Sequence, residues 1–142
     1  MNKKIVILGS TGSVGRQTAE VAADLGIEVL ALAASRDIKT METQARRFKP
    51  RFVTMSDERA AVELKIQPAD TDIDVRCGRE SLLESASQPD ADIIFNSIGQ
   101  SAGLEPTLSA LSAGKRLALA NKESIVIAGE LVTRAAKESG GE

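Results

Sequence analysis

The sequence predicts a doubly wound, mainly parallel α/β sheet with helices on both faces. Two patterns carry that expectation. An apolar strand over residues 5–8 runs directly into Gly9, Gly12 and Gly15, three glycines spaced three apart, and then into a helix. Beyond it, strand and helix signals alternate to the end of the chain without a repeat or a low-complexity linker, which is how parallel strands joined by crossover helices read.

Taken in order, the helix after the glycines shows Val14, Thr18, Val21, Ala22 and Leu25 at helical spacing. This face is expected against the sheet, with Gly26 as a left-handed terminator. Residues 28–34 read as a second strand buried on both faces, completing a βαβ unit. Asp37 caps the next helix, whose apolar stripe is Ile38, Met41, Ala45 and Phe48. Residues 51–55, after Pro50, form a third strand, and Asp57 caps a helix reaching Leu64. The polar residues 67–74 are expected to loop around a sheet edge. A short strand near residues 73–75, a helix over residues 81–86 and a buried strand over residues 92–96 come next. Leu104, Thr107, Leu108 and Leu111 share one face of a helix that has Pro106 in its first turn and Gly114 at its end. Residues 116–120 are a further strand and residues 124–137 a last helix, closed by Gly140 and Gly141.

The glycine turn has the chemistry of a pyrophosphate cradle; a purely structural turn between strand and helix is the other reading of the same glycines. The first glycine permits a tight turn, the second lets backbone approach the phosphates, and the third lets the helix pack closely on the strand. The N–H groups at the helix start then face the anion. The residues at the end of the second strand select the nicotinamide cofactor: a carboxylate there receives a ribose hydroxyl, whereas a cation receives a 2′-phosphate. At that point the chain reads Ser35-Arg36-Asp37. Arg36 can grip a 2′-phosphate with its fork of donors, and Ser35 can add another donor. The Asp37 side chain is expected to cap the helix while its backbone N–H faces the phosphate. The alternative for Arg36 is a solvated surface charge.

Composition sets further bounds. A chain of 142 residues, 42% hydrophobic, is long enough for one core, so a single domain is expected. Its 18 basic and 20 acidic residues, with 3 Phe as the aromatics, provide neither a basic stripe nor a stacking platform, which argues against nucleic acid. No apolar run approaches membrane-spanning length, and Met1-Asn2-Lys3-Lys4 enters a core strand without a cleavable-signal pattern. A cytoplasmic protein with no membrane partner is expected. Cys77 is the lone cysteine and the chain has no histidine, so Cys77 reads as a small buried residue rather than a nucleophile. No metal site is expected within these residues.

Ligands of such sheets lie at the carboxyl ends of the strands. Three clusters occupy those positions: Thr11, Gly12, Ser13 and Val14; the small, glycine-rich stretch Ser97, Ile98, Gly99, Gln100, Ser101, Ala102 and Gly103; and Asn121, Lys122 and Glu123. The second suits close approach to a flat cofactor and reads equally well as a surface loop. The third offers an amide, a cation and a carboxylate at the mouth of the sheet; an N-cap with solvated charges is the other reading of the same residues.

Together, Gly9-Ser10-Thr11-Gly12-Ser13-Val14-Gly15, the Pro50-Arg51 junction, Ala102-Gly103-Leu104-Glu105-Pro106-Thr107 and above all Leu119-Ala120-Asn121-Lys122-Glu123-Ser124 resemble the amino-terminal domain of the 1-deoxy-D-xylulose 5-phosphate reductoisomerase family. The resemblance covers essentially the whole chain and implies a Rossmann-like NADPH-binding domain. It further implies an oxidoreductase of non-mevalonate isoprenoid biosynthesis that depends on NADPH and a divalent metal, Mg or Mn. That enzyme isomerises 1-deoxy-D-xylulose 5-phosphate and reduces it to 2-C-methyl-D-erythritol 4-phosphate. Carried over, Gly9, Thr11, Gly12, Ser13 and Val14 hold the pyrophosphate, Ser35, Arg36 and Asp37 surround the 2′-phosphate, Asn121 and Glu123 contact the cofactor, and Lys122 contacts the substrate. Relatives often carry Gly-Lys-Asn where this chain has Ser-Arg-Asp, a departure that keeps the cation. The family's metal-binding Asp-Ser-Glu-His run and its homodimer-forming region are expected outside residues 1–142, so the chain is expected to bind cofactor without turnover. A short-chain dehydrogenase would need a Tyr-x-x-x-Lys pair, and the chain has no Tyr. A semialdehyde dehydrogenase would need a nucleophilic Cys and a His base. The alternative from another class is a non-catalytic NADP-binding regulatory or sensor module, which needs the same cradle.

Overall fold

The computed structural model describes residues 3–66 and 73–120. Strands β1 (Lys4–Leu8), β2 (Glu28–Ala34), β3 (Phe52–Met55), β4 (Val75–Cys77), β5 (Ile93–Asn96) and β6 (Arg116–Leu119) form one sheet in the spatial order β4-β3-β2-β1-β5-β6. Every neighbouring pair runs parallel. The strands are joined through α1 (Ser13–Asp24), α2 (Ile38–Phe48), α3 (Glu58–Ile66), α4 (Arg79–Ala86) and α5 (Leu104–Ser112), and a 3-10 turn (Gln100–Gly103) leads into α5. The continuous apolar runs of β1 and β2 are strands because both of their faces are covered. Ile5 and Ile7 pack with Ala19 and Ala22 of α1, Met41 and Ala45 of α2, and Leu64 of α3. Val6, Leu8 and Ile94 pack on the other face with Ala86 of α4 and Ala110 of α5.

The connections explain where a ligand belongs. From β1 the chain steps outward through β2 and β3 to β4, then crosses back to place β5 on the other side of β1 and β6 beyond it. Loops after β1 and β5 therefore diverge to opposite faces, and the crevice between them is the switch point of the fold. Asp37 and Asp57 cap α2 and α3 as expected: Asp37 Oδ1 accepts from Thr40 N at 3.0 Å, and Asp57 Oδ2 from Ala60 N at 3.0 Å.

Four expectations are corrected. The face that α1 turns to the sheet is Gly15, Ala19 and Ala22, whereas Val14, Val21 and Leu25 are 47%, 53% and 68% exposed. The helix sits too close to the turn for bulky side chains on that face, so the small residues make the contact. The fourth strand lies at residues Val75–Cys77, slightly later than expected, and Cys77 is exposed at the edge of the sheet rather than buried. The helix expected over residues 81–86 begins at Arg79. The expected helix over residues 124–137 and most of the expected loop over residues 67–74 lie outside the described residues.

Candidate functional site

The turn between β1 and α1 is built by three glycines with three different reasons to be glycine. Gly9 has φ +81°, the left-handed region, and a Cβ there would stand 2.7 Å from Ser97 Oγ. At Gly15 a Cβ would lie 2.0 Å from Gly9 O, so only hydrogen lets the helix approach its own turn. Gly12 differs from both. Its φ is −75°, and a Cβ would meet only Gly9 O at 3.6 Å, an ordinary contact. Nothing in the fold requires a glycine at position 12. A missing Cβ at that position leaves room for backbone to meet an approaching phosphate.

Gly12 is also the N-cap of α1 and supplies no side-chain cap. The first helical bond runs from Arg16 N to Gly12 O at 2.9 Å. The N–H groups of Ser13, Val14 and Gly15 therefore precede the helix ladder and carry the positive end of its dipole. The turn itself is fixed: Gly9 N and Ser10 N both donate to Ala33 O, at 2.8 and 3.0 Å. From behind, the buried Gln44 of α2 donates through Nε2 to Ser10 O at 2.8 Å. Sequence periodicity does not single out Gln44, a polar residue beside Ala45 on the apolar stripe of α2; only its partner 34 residues away gives it meaning.

Across the switch point, Ser97 Oγ lies 3.0 Å from Leu8 O and 3.2 Å from Gly9 O, tying the end of β5 to the glycine turn. Asn96, fully buried, donates through Nδ2 to Gly103 O and to Thr107 Oγ1, each at 2.9 Å, while its Oδ1 accepts from Ile98 N at 3.0 Å. One amide thus shapes the whole loop from Ile98 to Gly103. Its hydrogen-bonding groups are satisfied, as burial requires. A buried Asn at the end of an otherwise apolar strand was the available signal for this role.

Between these walls runs a groove of about 340 Å³. Gly9, Thr11 and Gly12 form one end, Ala34, Ser35 and Ser56 line the ends of β2 and β3, and Ser97, Ile98, Ala102 and Leu82 complete the other wall. A larger hollow of about 420 Å³ lies between α1 and α2, bounded by Arg16, Gln44 and the Glu20–Arg47 ion pair. It lies away from the strand ends, so the groove is the better candidate site.

Of the residues singled out by sequence, the structure brings Gly9, Thr11 and Gly12 to the groove beside Ser35, with Ser13 and Val14 opening α1. Arg36 is exposed at the end of β2, with no carboxylate paired to it among the described residues. Asp37 is engaged elsewhere: Oδ2 accepts from Thr40 Oγ1 at 2.7 Å and Oδ1 from Thr40 N. These bonds to Thr40 hold its carboxyl below the usual carboxylate range, helped by the nearby charges of Arg16 and Lys39. Asn121, Lys122 and Glu123 lie outside the described residues. Among those that are described, no three His, Cys, Asp or Glu side chains gather as a metal-binding group.

A doubly wound parallel sheet with an uncapped helix start and a glycine turn at its switch point defines a Rossmann-like domain of the dinucleotide-binding class. A family model for 1-deoxy-D-xylulose 5-phosphate reductoisomerase matches residues 5–129. The chain belongs to that family. The reductoisomerase of Halothermothrix orenii is 46% identical to it over 142 residues, a match covering 99% of this chain and 37% of the relative. The solved reductoisomerase of Zymomonas mobilis in complex with NADPH superposes with a TM-score of 0.93 at 34% identity, covering 99% of this chain and 38% of that one. Another reductoisomerase structure, in complex with NADPH, fosmidomycin and magnesium, gives a TM-score of 0.91 at 35% identity over 98% of this chain and 35% of that one. The chain thus spans just over a third of the length of the relatives it matches.

Proposed function

We propose that residues 1–142 are the NADPH-binding domain of a reductoisomerase that converts 1-deoxy-D-xylulose 5-phosphate to 2-C-methyl-D-erythritol 4-phosphate, with the catalytic, metal-binding and carboxy-terminal domains in the remaining length of the polypeptide. The observation that carries this reading is Gly12: a helix start without a side-chain cap, whose missing Cβ the fold does not need and an approaching phosphate does. Bound NADPH supplies the hydride for the reduction. The backbone at Thr11, Gly12, Ser13 and Val14 receives the pyrophosphate. At the end of β2, Ser35, the Arg36 guanidinium and the Asp37 N–H receive the 2′-phosphate, while the Asp37 carboxylate stays on Thr40.

The rest of the assignment rests on family membership. Asn121 and Glu123 contact the cofactor, and Lys122 contacts the sugar phosphate. The magnesium seen in a related structure has no ligand set among the described residues. The homodimer and the cytoplasmic setting of the whole enzyme belong to the same reading. The chain by itself seats cofactor without turnover.

Calorimetric titration with NADPH and NADH tests the assignment. One charge-assisted hydrogen bond contributes about 1.5–3 kcal/mol, so Arg36→Ala lowers NADPH affinity by about ten- to a hundredfold and leaves NADH nearly unchanged. Equal loss for both cofactors removes Arg36 from the 2′-phosphate. Failure of the parent chain to bind either one removes the cradle.

A further inference from the structure

Two helices begin side by side at the carboxyl ends of neighbouring strands. β1 feeds α1 and β2 feeds α2, the strands pair in parallel, and the bonds from Gly9 N and Ser10 N to Ala33 O pin the start of α1 against the end of β2. With Gly15, Ala19 and Ala22 turned to the sheet, Arg16 and Glu20 fall on the flank of α1 that faces α2, where Glu20 pairs with Arg47. The body of the hollow between the helices lies away from the strand ends, but its rim is made by Ser13, Arg16 and Thr40 of the two first turns. Neighbouring helices pack about 8–10 Å apart, a gap that an arginine side chain crosses. Arg16 therefore reaches from α1 to the first turn of α2.

The carboxylate it meets there is already engaged. Both oxygens of Asp37 accept from Thr40, Oδ1 from the backbone N at 3.0 Å and Oδ2 from Oγ1 at 2.7 Å. These bonds, and after them the charge of Arg16, hold the Asp37 carboxyl below its ordinary range. Arg46, Arg47, Arg51, Arg76 and Arg79 each pair with a carboxylate. Among the described residues the exposed Arg16 is in no such pair, so its fork of donors faces the rim.

A phosphate monoester carries about −1.5 to −2 charges at pH 7 and three acceptor oxygens. In the seat at the end of β2, Arg36 offers one positive charge and the Asp37 carboxylate opposes it, while Ser35 and the Asp37 N–H add donors without charge. Lys39 contributes to the field but stands roughly 160° round α2 from the buried Met41, on the solvent side. The seat is short of a cation that faces it. We propose that Arg16 is that cation, closing on the 2′-phosphate from α1 while Arg36 closes from the end of β2, and that it thereby helps to set the preference for NADPH over NADH. The inference rests on the reading of the chain as an NADPH-binding domain. The pyrophosphate is the poorer partner for Arg16, because the groove beside Gly9, Thr11 and Gly12 opens toward Ser97 and Ile98, whereas Arg16 stands on the flank turned to α2.

Calorimetric titration of the 142-residue chain with NADPH and NADH tests the assignment. Because the side chain is exposed, Arg16→Ala weakens NADPH by about three- to tenfold, and it leaves NADH within about twofold of the parent. Arg16→Glu sets a like charge against the phosphate, so it weakens NADPH further and again spares NADH; a carboxylate in the first turn suits the helix dipole, which keeps this variant folded. Lys3→Ala removes one positive charge at the opposite end of β1 and changes neither affinity. Equal loss of both cofactors in Arg16→Ala overturns the proposal and moves the arginine to the pyrophosphate. Unchanged NADPH affinity overturns it too, as does a Glu variant no weaker than the Ala variant, or a loss in Lys3→Ala as large as that in Arg16→Ala. Arg36→Ala keeps the two readings apart. A chain that loses NADPH with Arg36→Ala but not with Arg16→Ala keeps its 2′-phosphate seat and refutes only the second cation, whereas a parent that binds neither cofactor removes both.

Discussion

The contrast between Gly12 and Gly15 separates what the fold needs from what a ligand needs. At Gly15 the added methyl of Ala would begin 2.0 Å from Gly9 O and 2.8 Å from Gly9 C and Ser10 Cα. Ordinary contact begins near 3.4 Å, so α1 must retreat by about 1.4 Å from a turn held by Ala33 O and Gln44. Overpacking of this kind costs about 1–3 kcal/mol, of which the better helix propensity of Ala returns at most about 1. At roughly 4 °C per kcal/mol for a domain of this size, Gly15→Ala lowers Tm by several degrees. It also weakens NADPH, because the first-turn N–H groups move with the helix. Gly12→Ala meets only the 3.6 Å contact with Gly9 O. Its stability cost is that of a poorer N-cap, about 0.5–1 kcal/mol. Its methyl stands where the proposed site would take phosphate oxygens, so the loss of one charge-assisted hydrogen bond weakens NADPH by about ten- to a hundredfold. Thermal unfolding without ligand and calorimetric titration with NADPH, run on both variants, give the comparison. Normal NADPH affinity in a Gly12→Ala protein would refute the reasoning, and so would a Gly15→Ala protein as stable as the parent.

Three further outcomes are expected. Asp37→Asn keeps the cap on α2 and removes a negative charge beside the proposed 2′-phosphate, so NADPH binds about three- to tenfold tighter in a titration while Tm stays near that of the parent. Because the folded-state pKa of Asp37 is lowered, its ionised cap stabilises the protein above the ordinary carboxylate pKa and is lost as pH falls through the lower folded value. Asp37→Ala therefore costs about 1 kcal/mol at pH 7 and progressively less below about pH 4, measured by urea unfolding across pH. Gln44→Leu leaves Ser10 O without its buried donor, costing about 1–3 kcal/mol in the same assay; because the glycine turn loosens, NADPH weakens too, and Gln44→Glu, unable to donate when ionised, does not rescue it. Cys77 alkylates in the native protein within a few-fold of its rate in denaturant, as its exposure at the sheet edge requires.

The parallel sheet and its switch point were legible because period and punctuation both act locally: apolar runs for the strands, Asp37 and Asp57 at helix starts, and Gly26 and Gly114 at helix ends. The face of α1 was not. Periodicity ranks residues by apolarity, so besides the buried Ala22 it chose Val14, Val21 and Leu25, whereas the distance between Gly15 and Gly9 O admits only small side chains and puts Ala19 beside Ala22. The glycine turn was readable from the spacing of its glycines. Its supports were not, because Gln44, Asn96 and Ser97 act through partners that the fold brings together from distant segments, or through a loop whose path the sequence does not display. The displaced β4 has a simpler cause. With three residues and one edge partner, it carries too little apolar pattern to fix its bounds.

Ser97 and the β1–β5 pairing set an order of events during synthesis. The bond from Lys4 N to Asp92 Oδ2 and the contacts of Ser97 Oγ with Gly9 O and Leu8 O join positions 88 and 89 apart. As the chain emerges from its amino end, β1 can pair with β2 early, but its other edge stays open until β5 has been made. Closing so distant a contact is the slow part of folding, and an apolar strand with an unpaired edge is meanwhile open to other nascent chains. The groove acquires its second wall only when β5 arrives. A cofactor that recognises both walls therefore binds only once β5 is in place, and its presence then holds β5 against β1 by mass action.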